Sequence, residues 1–166
     1  GDLERATEAQ HTFSSLDVAQ TGVAGGEHGP VGIRQIERRD LFCRQNPVVL
    51  VGARRIAVVN DRTEYGRTLA ETLIQTVERR AGRRSIVTVE EIAQGDKDFS
   101  AVVARLKPVE PDVVYFGGIF REGGYLVRQM RQAGLTAAFV SGDGVLDPEF
   151  VKIAGEEAAS GTYLTF

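Results

Sequence analysis

Arg55-Ile-Ala-Val-Val-Asn60 is a short β-branched and small apolar run, and the segment from Tyr65 to Arg80 follows it with a different period. The first run lacks polar alternation, so it reads as a strand buried on both faces. In the second, Leu69, Leu73, Ile74 and Val77 recur at spacings of three and four and share one face of a helix. Gly82 then supplies a stop signal. A buried strand feeding an amphipathic helix is half of a strand–helix–strand unit.

The rest of the chain repeats the pattern. Ser85 to Glu90 reads as a second strand. Asp98 is placed to cap a helix whose apolar face is Phe99, Val102, Val103 and Leu106, and Pro108 and Pro111 end it. Asp112 to Phe116 reads as a third strand, running into Gly117-Gly118. Glu122 to Ala133 reads as a helix stopped by Gly134, Ala137 to Val140 as a fourth strand, and Pro148 to Ala154 as a short helix with Asp147 at its N-cap. Thr162 to Phe166 is the last strand. Strands alternating with helices imply a parallel sheet with right-handed crossovers and helices on both faces. Ligands in such sheets sit beyond the carboxyl ends of the strands. That rule selects the loops 60–65, 93–98, 117–123 and 141–146.

Composition narrows the function classes. The 166 residues are 42% hydrophobic and 26% charged with net charge −3, which suits one globular domain. The arginine pairs 38–39, 54–55, 79–80 and 83–84 are short and scattered, so neither nucleic acid nor an anionic membrane is expected as a partner. Cys43 is the only cysteine, which excludes an internal disulfide, and His11 and His28 have no companions at zinc-site spacing. No apolar run is long enough for membrane insertion. The chain opens on Gly1 without a leader, and it is expected to be a processed product or a fragment.

No phosphate-binding glycine loop follows the first strand, and no nucleophile elbow or zinc-protease motif occurs. The strand-end loops hold the candidates. Asp143, between Gly142 and Gly144, either receives an ammonium group or is a turn aspartate bonding its own backbone. Tyr65 either walls a pocket or packs at a helix start. Gly117-Gly118 either lets a ligand approach the backbone or simply turns the chain. Ile119 and Phe120 either line an apolar pocket or join the core.

Asp61-Arg-Thr-Glu-Tyr-Gly66, Gly95-Asp-Lys-Asp-Phe-Ser100, Val114-Tyr-Phe-Gly-Gly118, Met130-Arg-Gln-Ala-Gly-Leu135 and Gly142-Asp-Gly144, taken in order, resemble the second lobe of the leucine/isoleucine/valine-binding proteins. Ile153-Ala-Gly155 and Gly161-Thr-Tyr-Leu-Thr165 extend the resemblance, which runs from about Ala53 to Phe166. These are type I periplasmic solute-binding proteins that feed ABC transporters. The resemblance implies an α/β, flavodoxin-like three-layer lobe with a mainly parallel sheet. It implies a pocket for a branched-chain or related amino acid, with Tyr65 contributing to it and Asp143 receiving the α-ammonium. Well-known members carry glutamate at the Asp143 position and an aromatic residue at the Ile119 position, so Gly118, Ile119 and Phe120 are retained as wall candidates. A permease partner and a periplasmic location are likewise implied. No enzyme activity and no cofactor are expected.

Two other functions remain open: a ligand-sensing regulatory domain of a receptor or transcription regulator, and an enzyme on a flavodoxin-like sheet using Asp143 or Asp61. The ligand-binding lobe is expected to span 51–166. Residues 1–50 do not match the first lobe of the family and are expected to pack poorly, with at most a weakly amphipathic helix from about Val31 to Cys43.

Overall fold

The computed structural model describes residues 34–36 and 53–165. Ile56–Asn60 forms strand β2, and every residue in it is buried: Ile56 to Val59 as an unbroken apolar run requires, and the polar Asn60 at its carboxyl end. Helix α1 follows over Glu64–Ala81. Then come β3 (Ile86–Glu91), α2 (Ser100–Leu106), β4 (Val113–Gly117), α3 (Phe120–Gln132), β5 (Ala138–Ser141), α4 (Pro148–Ala154), α5 (Glu156–Ala159) and β6 (Thr162–Thr165). The repeating strand–helix unit read from the sequence is therefore the unit of the fold.

With Arg34–Ile36 as β1, the sheet is six-stranded and its order is β1-β6-β5-β4-β2-β3, with every neighbouring pair parallel. The crossover from β2 to β3 runs one way along the sheet, and the later crossovers run back past β2. Right-handed connections then place α1 on one face and α2 to α5 on the other. The two apolar clusters match this. Ala70, Leu73 and Val77 of α1 pack with Val58, Val113, Tyr115 and Val140. On the other face Val103, Leu126, Met130 and Phe150 pack with Val59, Val114 and Phe139. Phe139 stacks between Phe116 and Phe150 at centroid distances of 5.9 and 6.2 Å. The direction of the strand order reverses between β2 and β4, so their carboxyl ends border the crevice typical of such sheets.

Several details differ from expectation. Arg34–Ile36, inside the stretch where a weak helix was considered, forms strand β1 instead, pairing with β6 in the register Arg34↔Tyr163 to Ile36↔Thr165. The open side of β6 offers a row of backbone donors and acceptors, and a segment with little helical amphipathicity gains more by filling it. The rest of the stretch considered for that helix lies outside the described residues, as do His11, His28 and Cys43. Asp98 is not the N-cap of α2. Phe99 holds that position, while Asp98 Oδ1 accepts from Ser100 N at 3.0 Å one step earlier. Helix α3 starts at Phe120 rather than Glu122, because Ile119 is extended and its carbonyl already accepts from Gly123 N. Asp147 caps α4 as read, with Oδ1 accepting from Glu149 N at 2.8 Å.

Candidate functional site

The loops after β2, β4 and β5 meet at the carboxyl ends of the strands, with β4 between the other two. Tyr65 stands in the first turn of α1. Its hydroxyl donates to Asp143 Oδ1 at 2.6 Å and accepts from Gly144 N at 3.1 Å. One phenol oxygen thus joins the β2 loop to the β5 loop across the end of β4. Glycine makes the crossing compact. A Cβ on Gly144 would lie 2.6 Å from the Gly118 carbonyl oxygen and 2.9 Å from Tyr65 Cε1. A Cβ on Gly118 would lie 2.8 Å from Phe116 Cε1 and 2.9 Å from Asp61 Oδ2. Neither position admits a side chain without moving backbone, a buried ring or a buried carboxylate.

Two buried carboxylates brace the loops from below. Asp61 accepts on Oδ1 from Thr63 N at 3.0 Å and from Thr63 Oγ1 at 2.6 Å. Thr63 Oγ1 in turn accepts from Gly66 N and caps α1. Glu122, in the first turn of α3, accepts on Oε1 from Gly95 N at 2.8 Å and so ties the β3–α2 loop to that helix. Asp61 Oδ2 and Glu122 Oε2 are buried without a hydrogen-bond partner among the described residues. The Tyr65 phenol is pushed up to about 12, first by burial and then by its hydrogen bond to Asp143. It stays protonated, and remains a donor, throughout the neutral range.

Of the candidates read from the sequence, Tyr65, Gly118 and Asp143 come together here. Asp143 is exposed, and among the described residues nothing hydrogen-bonds its second oxygen. Tyr65 keeps 39% of its surface open despite its bond. Ile119 is half-buried at the N-cap of α3, and Phe120 packs partly against the larger core cluster. Leu146, 51% exposed in the same β5 loop, was not among the candidates. Its only signal in the sequence is an apolar residue immediately before the N-cap Asp147. Glu122 read only as a helix start, since its partner Gly95 is 27 residues away. Among the described residues no cluster of His, Cys, Asp or Glu could hold a metal ion, and no helix is long and apolar enough to cross a membrane.

Comparison with known proteins gives this arrangement a context. A family model described as periplasmic binding protein matches residues 48–166. A Leu/Ile/Val-binding protein of Rhizobium johnstonii is 44% identical over 112 residues, covering 68% of this chain and 30% of that protein. Among solved structures, a branched-chain amino acid transporter substrate-binding protein from Streptococcus pneumoniae, in complex with isoleucine, superposes with a TM-score of 0.62 at 26% identity, covering 76% of this chain and 33% of that one. A leucine-binding protein from Thermotoga maritima gives 0.59 at 32% identity, covering 67% and 31%. The chain thus spans about a third of the length of the relatives it matches. With its parallel flavodoxin-like sheet and this ordered similarity, the chain belongs to the periplasmic binding protein family, among relatives of the Leu/Ile/Val-binding proteins.

Proposed function

We propose that residues 51–166 carry one wall of an amino-acid site, and that the parent function is capture of a branched-chain or related amino acid in the periplasm for an ABC importer. The observation that carries this is an open carboxylate, Asp143, beyond the carboxyl end of β5, held by Tyr65 from the loop after β2, one of the two strands between which the sheet order reverses. An ammonium group can donate to its second oxygen through a charge-assisted hydrogen bond. The exposed Tyr65 ring and the residues after Gly118, Ile119 and Phe120, supply apolar surface for an aliphatic side chain. Gly118 lets the strand-end loops close on one another at the site, against Phe116 and Asp61. The site offers recognition groups rather than a nucleophile and base, so the reading is binding without chemistry and without a cofactor. A permease is the partner that such capture requires.

One wall grips a zwitterion poorly. The ligand carboxylate would remain largely in water, and the cost of association falls on few contacts. The lobe alone is therefore expected to bind in the millimolar range, near −4 kcal/mol. The test is calorimetry on the Rhizobium johnstonii relative with its matching segment replaced by that of this chain. The hybrid is expected to bind leucine, isoleucine or valine, and Asp143→Asn to weaken binding by about 1.5–3 kcal/mol, the usual contribution of a hydrogen bond to a charged group. Binding of sugars or inorganic anions in place of amino acids, or unchanged affinity in Asp143→Asn, would overturn the proposal.

A further inference from the structure

We infer that Tyr65 is a positioning residue, whose hydroxyl locks Asp143 into the single conformation in which its carboxylate faces the crevice. This rests on the proposed function only for its purpose, not for its geometry. An exposed aspartate on a loop samples several side-chain rotamers, and ordering it on ligand binding would weaken affinity. Here the ordering is done in advance. Tyr65 donates its proton to Asp143 Oδ1 at 2.6 Å, so the carboxylate is held at one oxygen. The phenol oxygen is itself fixed by Gly144 N at 3.1 Å, one residue beyond the acid it holds. The ring is fixed by the helix that bears it, whose N-cap Thr63 is tied to the buried Asp61.

The glycines on either side of Asp143 are the slot for this hydroxyl. A Cβ at Gly142 would lie 3.2 Å from Tyr65 Oη, and one at Gly144 would lie 3.0 Å from it. Side chains at these positions would crowd the phenol oxygen from both flanks. The Gly-Asp-Gly sequence is therefore explained by the tyrosine as much as by the turn. Because its only proton goes to Asp143, Tyr65 has none left for a ligand carboxylate. The hydroxyl acts on the ligand through the acid, while the ring remains free to serve as apolar wall.

The test uses the full chain without ligand. Three-bond couplings measured by NMR give the χ1 populations of Asp143 in wild type and in Tyr65→Phe, which keeps the ring and removes the hydroxyl. The expected result is one dominant rotamer in wild type and averaged couplings in Tyr65→Phe, with amide spectra elsewhere unchanged. Averaged couplings in wild type would overturn the inference without any variant, and so would a single rotamer retained in folded Tyr65→Phe. No ligand enters this measurement, so its failure is distinct from a failure of the proposed amino-acid binding, which the hybrid calorimetry reads.

Discussion

Tyr65 binds its proton more tightly in the folded chain than in an unfolded one, where a phenol titrates near 10. Its ionisation therefore works against folding. The sign follows from linkage: the contribution is fully present below pH 10 and is lost as pH rises toward about 12. Tyr115, 4% exposed on β4, is shifted upward as well, mainly by burial, and reinforces the trend. Urea midpoints measured from pH 8 to 12 are expected to fall above pH 10, with a shallower fall in Tyr65→Phe. An equal slope in both proteins would show that the phenol is not coupled to folding. At this scale the sequence was partly legible. Tyr65 and Asp143 stand out because each follows a strand, but the bond between them joins positions 78 residues apart, and no local spacing encodes it. Asp61 was legible only as an acidic residue after a strand. Its burial follows from the close passage of Gly118, a tertiary fact.

The elements were read more fully than their joints. Strands β2 to β6 and helices α1 and α4 fall within a residue or so of the boundaries implied by periodicity, glycine stops and the Asp147-Pro148 start. Helix α5 has no signature in the sequence, because Glu156–Ala159 is one turn and leaves no periodic face. Helix α3 begins two residues before the start that its sequence implies. The acidic Glu122 resembles an N-terminal signal, yet it serves by reaching out of the helix to Gly95 N rather than by capping. That contact makes a prediction for the β3–α2 loop. In Glu122→Ala, amide exchange at Gly95 is expected to quicken by about tenfold or more, as loss of a hydrogen bond to a carboxylate implies. Exchange at Gly95 equal to that of wild type would remove Glu122 as the anchor of this loop.

For the whole molecule, alternation alone implies a parallel sheet with helices on both faces, whereas the strand order, with its reversal between β2 and β4 that borders the crevice, is fixed only by the tertiary fold. Nor could alternation give β1, three residues filling the open side of β6. Its backbone pairing is short and lies at the sheet edge, so the lobe proper is proposed to begin near residue 51. Limited proteolysis followed by mass spectrometry is expected to leave a resistant core starting near residue 50, and a core starting before Arg34 would make β1 integral to the lobe. The strand-end loops joined by Tyr65 and Asp143 are proposed to form an amino-acid site. The most direct measurement is an amide NMR titration of this chain with L-leucine, L-isoleucine and L-valine into the millimolar range, with glucose as control. Saturable shifts are expected, concentrated at Tyr65, Gly118, Ile119, Asp143 and Gly144 and abolished in Asp143→Asn. Shifts that cluster at the amino ends of the strands, or that appear equally with glucose, would contradict the proposed site.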